Sequence, residues 1–114
     1  MEILTKKQPE VKNFINGKFE KTEQALMDIE SPLTGEVIST LPLSTYNDVD
    51  AAVQAAQKAY TGWSAMTLKE RTQIFFTYRG LLEQNMDELT KLCQLENGKT
   101  YGESKAEVMK SMEL

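Results

Sequence analysis

Near Ser44 the apolar pattern of this chain changes from a period of two to a period of 3.6, and that switch limits the possible folds more than any other feature. Ahead of it lie two hairpin signals. In the first, spanning residues 11–20, Asn16-Gly17 stands between Phe14-Ile15 and Lys18-Phe19 and supplies the two positive-φ positions of a type I′ turn. In the second, spanning residues 25–40, Leu26-Met27-Asp28-Ile29 and Glu36-Val37-Ile38-Ser39 read as strands joined by the turn Ser31-Pro32-Leu33-Thr34-Gly35. Pro32 and Pro42 keep this half from becoming helix.

Beyond the switch, a threonine followed three residues later by an acid occurs three times: Thr45/Asp48, Thr67/Glu70 and Thr100/Glu103. Each is a helix-opening signal, because the hydroxyl and the carboxylate satisfy orphan backbone N–H groups of the first turn. In the first helix Val49, Ala52, Val53, Ala56, Tyr60 and Trp63 form one apolar stripe, and Gly62 is expected to end it. The second should turn Ile74, Phe75, Tyr78, Leu81 and Leu82 inward, with Gly80 permitting close packing. A third opens at Asn85-Met86-Asp87-Glu88, buries Leu89, Leu92, Cys93 and Leu95 or Glu96, and stops at Asn97-Gly98. The fourth runs from the Thr100 cap through Val108 and Met112 to the end of the chain with no stop signal, as expected of a truncated product. The fold class is therefore α+β, with a polar tail at 1–10, hairpins at 11–43 and about four amphipathic helices at 45–114.

Composition narrows the function. With 114 residues there is room for one ordinary domain, and a net charge of −4 without a basic stripe argues against a nucleic-acid partner. No apolar run nears the roughly 20 residues of a membrane span. The single cysteine cannot form an internal disulfide, which fits a reducing cytoplasm. Histidine is absent, and with it the commonest general base and metal ligand.

The remaining motifs favour structure. Gly98-Lys99-Thr100 looks like the end of a phosphate loop, but Cys93 stands where that loop needs its first glycine, and helix precedes it in place of a strand. Cys93 sits late in a helix beside Leu92 and is read as packing. Glu83, Asp87, Glu88 and Glu96 suit a solvated helix face, Asp87 and Glu88 also matching the positive end of the third helix. Trp63, Phe75, Phe76, Tyr78 and Tyr101 have the spacing of a core or an interface and do not suggest a base-stacking surface.

Four blocks, in order, resemble the front of an aldehyde dehydrogenase. They are Asn13-Phe14-Ile15-Asn16-Gly17-Lys18-Phe19; Ser31-Pro32-Leu33-Thr34-Gly35-Glu36-Val37-Ile38; Asp48-Val49-Asp50-Ala51-Ala52-Val53 with Ala59-Tyr60 and Trp63; and Leu95-Glu96-Asn97-Gly98-Lys99-Thr100. Phe75-Phe76-Thr77-Tyr78, Leu81-Leu82 and the Glu-Asn-Gly-Lys wording resemble the methylmalonate-semialdehyde dehydrogenase branch. The resemblance implies an amino-terminal piece of the family's α/β fold. The whole enzyme would be NAD- or NADP-dependent and would oxidise a semialdehyde to an acid or acyl-CoA through a cysteine thiolate. No catalytic or cofactor-binding residue carries over, so the piece alone is expected to be inactive and to bind no cofactor. The resemblance also implies a structural monovalent cation held by main-chain oxygens near Asp28 and Ile29 and by the Glu96 carboxylate, oxygens being what a hard cation takes. Expected partners are the rest of the dehydrogenase or a homologous subunit, with self-association possible through apolar helix faces. The alternative is a non-catalytic interaction module that docks on a full-length relative.

Overall fold

A computed structural model describes residues 7–21 and 25–113. Two antiparallel ribbons are followed by four helices: β1 (Phe14–Ile15), β2 (Lys18–Phe19), β3 (Leu26–Glu30), β4 (Val37–Pro42), α1 (Tyr46–Ala65), α2 (Leu68–Gln84), α3 (Met86–Asn97) and α4 (Tyr101–Ser111). The α+β class expected from the period switch is what the chain adopts.

The β1–β2 turn is set by Asn16 and Gly17, at φ of 52° and 76°, the paired positive values a two-residue hairpin requires. Across it Phe14 faces Phe19, with ring centroids 4.9 Å apart. The ribbon lies beside α1, where Phe14, Ile15 and Ala52 line a shallow recess, and the Asn13 amide donates to Ser44 Oγ at 2.8 Å. In the second ribbon Asp28 pairs with Thr40 and Ile29 with Ser39, and a bulge interrupts the ladder between Ile29 and Glu30. The described end of the expected tail is attached to this sheet. Gln8 N–H donates to Ile38 O, Val11 N–H to Thr40 O and Ser39 Oγ to Pro9 O, so residues 8–11 run along β4; residues 1–6 lie outside the described residues.

Helix starts follow the caps. In the Thr67 and Thr100 boxes the backbone N–H of Glu70 or Glu103 donates to the threonine hydroxyl, and the acid accepts from the threonine N–H. At Thr45 the Asp48 carboxylate accepts from both N–H and hydroxyl. Helix ends are less faithful to the expectation. Gly62 does not stop α1, which continues to Ala65 and ends where Met66 turns extended ahead of the next cap. A glycine inside a helix costs only about 1 kcal/mol, so it punctuates weakly without the left-handed turn. Gly98, at φ 70°, does make that turn and ends α3. The fourth helix, expected to run to the chain end, stops at Ser111, with Met112 N–H bonded to Met109 O.

Burial departs furthest from expectation. Leu95 is fully buried and Ile38 nearly so, while α1 and α2 contain no buried residue. Ala52, Trp63 and Leu82 are half-buried, but the rest of the α1 stripe and of the α2 residues expected to point inward stand open, Tyr60 being 66% exposed and Ile74 49%. Nothing approaches the position of a side chain at Gly80, so no close packing occurs there. The physical reason is the layering. Principal extents of 47 × 35 × 17 Å describe a slab, and a slab has no second layer to cover an apolar helix face. Among the described residues no helix is long and apolar enough to cross a membrane.

Candidate functional site

The most enclosed corner among the described residues joins the β3–β4 turn to the end of α3. Ser31, buried, donates its hydroxyl to Leu95 O at 2.6 Å across 64 positions of sequence. Ser31 Oγ also accepts from Leu33 N–H at 3.2 Å, and Ser31 O accepts from Gly35 N–H at 2.7 Å. Beside it, a Cβ on Gly98 would stand 3.2 Å from Pro32 Cγ, so the helix stop and the proline turn meet at a distance only glycine tolerates comfortably. Helix α4 then folds back on α3, enclosing Leu95, Thr90 and Ser104.

The three residues expected to hold a cation lie on β3 and α3, the elements on either side of this corner. Asp28 and Ile29 lie on β3 just before the bulge, Asp28 exposed and Ile29 half-buried, while Glu96 follows the clamped Leu95 with its side chain exposed. The Ser31–Leu95 bond therefore ties together the ends of the two elements that carry them. Among the described residues, no three histidine, cysteine, aspartate or glutamate side chains cluster to hold a metal. One carboxylate with main-chain oxygens is a weakly charged donor set, suited at most to a monovalent ion.

The outer surface of α3 and α4 carries two charged networks. Asp87 accepts from Lys91 at 2.6 Å and from the Tyr101 hydroxyl at 3.0 Å. Lys91 and then Tyr101 hold its carboxyl below the usual carboxylate range, and Asp87 in turn pushes both the Lys91 ammonium and the Tyr101 phenol up. Glu107 pairs with Lys99 and accepts from the Cys93 thiol at 3.4 Å, contacts that lower its carboxyl and raise the Lys99 ammonium. Cys93 is half-buried in this seam, with the Asn97 amide 3.8 Å from its sulfur. Lys99 is thus engaged by a carboxylate, and Gly98 and Thr100 form a helix stop and a helix cap, which disposes of the phosphate-loop reading. Glu83, Glu88 and Glu96 remain on exposed helix surface. The aromatic residues do not assemble into a stacking platform: Trp63 meets Phe75 edge to face at 6.2 Å, and Phe76 and Tyr78 are exposed.

Residues 19–114 match the model of a known protein family, the aldehyde dehydrogenase family. The chain belongs to the aldehyde dehydrogenase family. A malonate-semialdehyde dehydrogenase 2 of Bacillus thuringiensis (strain Al Hakam) is 43% identical over 104 residues, covering 90% of this chain and 21% of that protein. A malonate-semialdehyde dehydrogenase of Bacillus cytotoxicus is 39% identical over 112 residues, 97% of this chain and 23% of the relative. The chain thus spans about a fifth of the length of the curated relatives it matches. Among solved aldehyde dehydrogenases, a Sinorhizobium meliloti protein assigned as a methylmalonate-semialdehyde dehydrogenase and crystallised with NAD superposes with a TM-score of 0.80. It is 34% identical, over 87% of this chain and 20% of its own. Lactaldehyde dehydrogenase from Escherichia coli gives 0.88 at 26% identity, over 91% and 22%.

Ser31 and the Pro32–Gly98 contact are what sequence reasoning missed. Ser-Pro and Asn-Gly were both legible as local turn signals, but that one closes upon the other is a tertiary fact with no mark in either motif.

Proposed function

We propose that this chain is the amino-terminal scaffold of an NAD(P)-dependent aldehyde dehydrogenase of the semialdehyde class. In the whole enzyme a semialdehyde is oxidised to an acid or an acyl-CoA while the nicotinamide accepts hydride. The thiolate, the base and the nucleotide site are supplied by polypeptide outside these residues. The observation that carries the reading is the 43% identity, over 90% of this chain, to a malonate-semialdehyde dehydrogenase. The proposed compartment is the cytoplasm, in keeping with the free Cys93.

Replacing the matching stretch of the Bacillus thuringiensis relative by this chain tests the assignment. The chimera should reduce NAD in the presence of malonate semialdehyde. A folded chimera that oxidises no aldehyde would overturn the reading of this chain as the scaffold of such an enzyme. The isolated chain should turn over no aldehyde, and calorimetric titration with NAD should give no heat of binding; micromolar affinity would contradict the scaffold reading.

A structural cation near Asp28, Ile29 and Glu96 belongs to the same proposal. Its support is the Ser31–Leu95 clamp, which ties the end of α3 that carries Glu96 to the turn following the strand that carries Asp28 and Ile29. Titrating sodium and potassium while following the backbone NMR signals of these three residues should show a saturable shift, abolished in Glu96→Gln. A response that never saturates, or one unchanged in the variant, would remove the site.

A further inference from the structure

Asn-Gly occurs twice in the chain, at Asn16-Gly17 and Asn97-Gly98. The dipeptide carries a latent reaction: the glycine backbone nitrogen can attack the asparagine Cγ, because no side chain on the second residue obstructs the approach. Both pairs lie at a chain reversal with the glycine at positive φ, yet their surroundings differ. At the second, Gly98 N–H donates to Gln94 O at 2.8 Å and the Asn97 amide donates to Cys93 O at 3.2 Å. Nucleophile and electrophile are both tied to α3 there, beside Pro32 and the buried Leu95. At the first, Asn16 and Gly17 are exposed, and among the described residues neither the Gly17 N–H nor the Asn16 amide has a hydrogen-bond partner. Two ladder pairs, Phe14 with Phe19 and Ile15 with Lys18, hold that ribbon shut, and a two-stranded hairpin is marginal in water.

We propose that Asn16 is a site of spontaneous modification, deamidated by its own backbone whenever the short ribbon opens, while the corner keeps Asn97 inert. In the open ribbon the Gly17 nitrogen bonds to Asn16 Cγ and the Cγ–Nδ2 bond breaks. The amide nitrogen leaves as ammonia, taking the Gly17 proton with it. Water then adds to the cyclic imide. Opening the bond from Cγ to the imide nitrogen leaves aspartate. Opening the bond from the main-chain carbonyl routes the backbone through Cγ and leaves isoaspartate. Water is the only reactant consumed, and either product adds one negative charge at the turn. The two differ in what they do to the fold. Asp-Gly supports the same two-residue turn as Asn-Gly, so aspartate leaves the ribbon in place. Isoaspartate lengthens the main chain by a methylene inside that turn, which no longer sets Ile15 against Lys18 or Phe14 against Phe19. The ribbon then loses its seat on α1, where Phe14, Ile15 and Ala52 line the recess.

The test incubates the 114-residue chain at mildly alkaline pH and follows each Asn-Gly peptide by mass spectrometry, with fragmentation that separates aspartate from isoaspartate. Asn16 should convert about tenfold or more faster than Asn97, a ratio that a modest difference in local opening free energy produces. In urea strong enough to unfold the chain the two rates should converge, because the protection of Asn97 comes from structure. Ser31→Ala, which loosens the corner, should speed conversion at Asn97 about fivefold or more and leave Asn16 unchanged. Asn16→Gly keeps a turn-competent Gly-Gly pair and removes the amide, so its hairpin peptide should show no amide-to-acid mass change. On ageing, the NMR contact between the Phe14 and Phe19 rings should fade in step with isoaspartate, and should persist in Asn16→Gly. The proposal is overturned if Asn97 reacts as fast as Asn16 in the folded chain, if the gap survives in urea, if Ser31→Ala leaves Asn97 unchanged, or if isoaspartate accumulates with the ring contact intact.

Discussion

The α3–α4 corner and the α1–α2 side are built from the same kinds of signal, yet only the corner closes. Both use threonine–acid caps, at Thr100 in the corner and at Thr45 and Thr67 on the open side, and both have helices with apolar residues at 3.6-residue spacing. In the corner a buried hydroxyl, a left-handed glycine and a returning helix bring Leu95 to zero exposure. On the other side the stripe is equally regular, and the β1–β2 ribbon meets it near Ala52 while Val53 and Tyr60 stay exposed. Amphipathicity states which face must be covered, and the covering element has to come from somewhere else. In this molecule the corner covers itself, whereas α1 and α2 leave apolar side chains such as Tyr60 and Ile74 exposed.

The contrast can be broken most forcefully at Leu95. Leu95→Ala should cost about 2–5 kcal/mol in urea unfolding, the range for emptying a buried leucine site, whereas Ile74→Ala on the open side should change stability by about 0.5 kcal/mol or less. Equal effects at the two positions would show that the open side is in fact packed. Next in size comes Ser31→Ala, expected to cost about 1–3 kcal/mol, because the Leu95 carbonyl is left buried without its donor. Gly98→Ala should follow at about 1–2 kcal/mol, from the φ of 70° and the 3.2 Å approach to Pro32. Combining it with Ser31→Ala should give a sum that is not additive, since both loosen one junction.

The smallest effect is that of pH, and its sign follows from the shifts. Glu70, Asp87, Glu103 and Glu107 are all held below the usual carboxylate range, by Thr67, by Lys91 with Tyr101, by Thr100, and by Lys99 with Cys93. Groups lowered on folding contribute stability above their unfolded values and lose it as pH falls through the folded ones, so acid should loosen α2 and the α3–α4 seam. Lys91, Lys99 and Tyr101 are raised, so their contribution is present below their unfolded values and fades as alkali passes the folded ones. All are solvent-exposed, and added salt should flatten both arms of the melting profile.

Local grammar was legible in the sequence, and closure was not. Asn16-Gly17, the three caps and the Asn97-Gly98 stop could be read because each acts within four residues of itself, where sterics and hydrogen-bonding geometry leave few options. Gly62 misled because a lone glycine inside a strongly periodic helix is tolerated when a better stop, here the Thr67 cap, follows closely. The inward direction of Ile74 and Phe75 was inferred from spacing, but spacing cannot tell whether the covering layer lies within the same 114 residues. The fold of this piece and its family were therefore readable. The Ser31–Leu95 clamp was not, since it depends on where two distant turns arrive.

Native-state hydrogen exchange on the 114-residue chain tests the division into a closed corner and an open side most directly. Amides of α3 around Leu95 and of β4 around Ile38 should exchange slowest, while those of α1 and α2 exchange much faster. Uniformly slow exchange across all four helices of the chain alone would contradict the account.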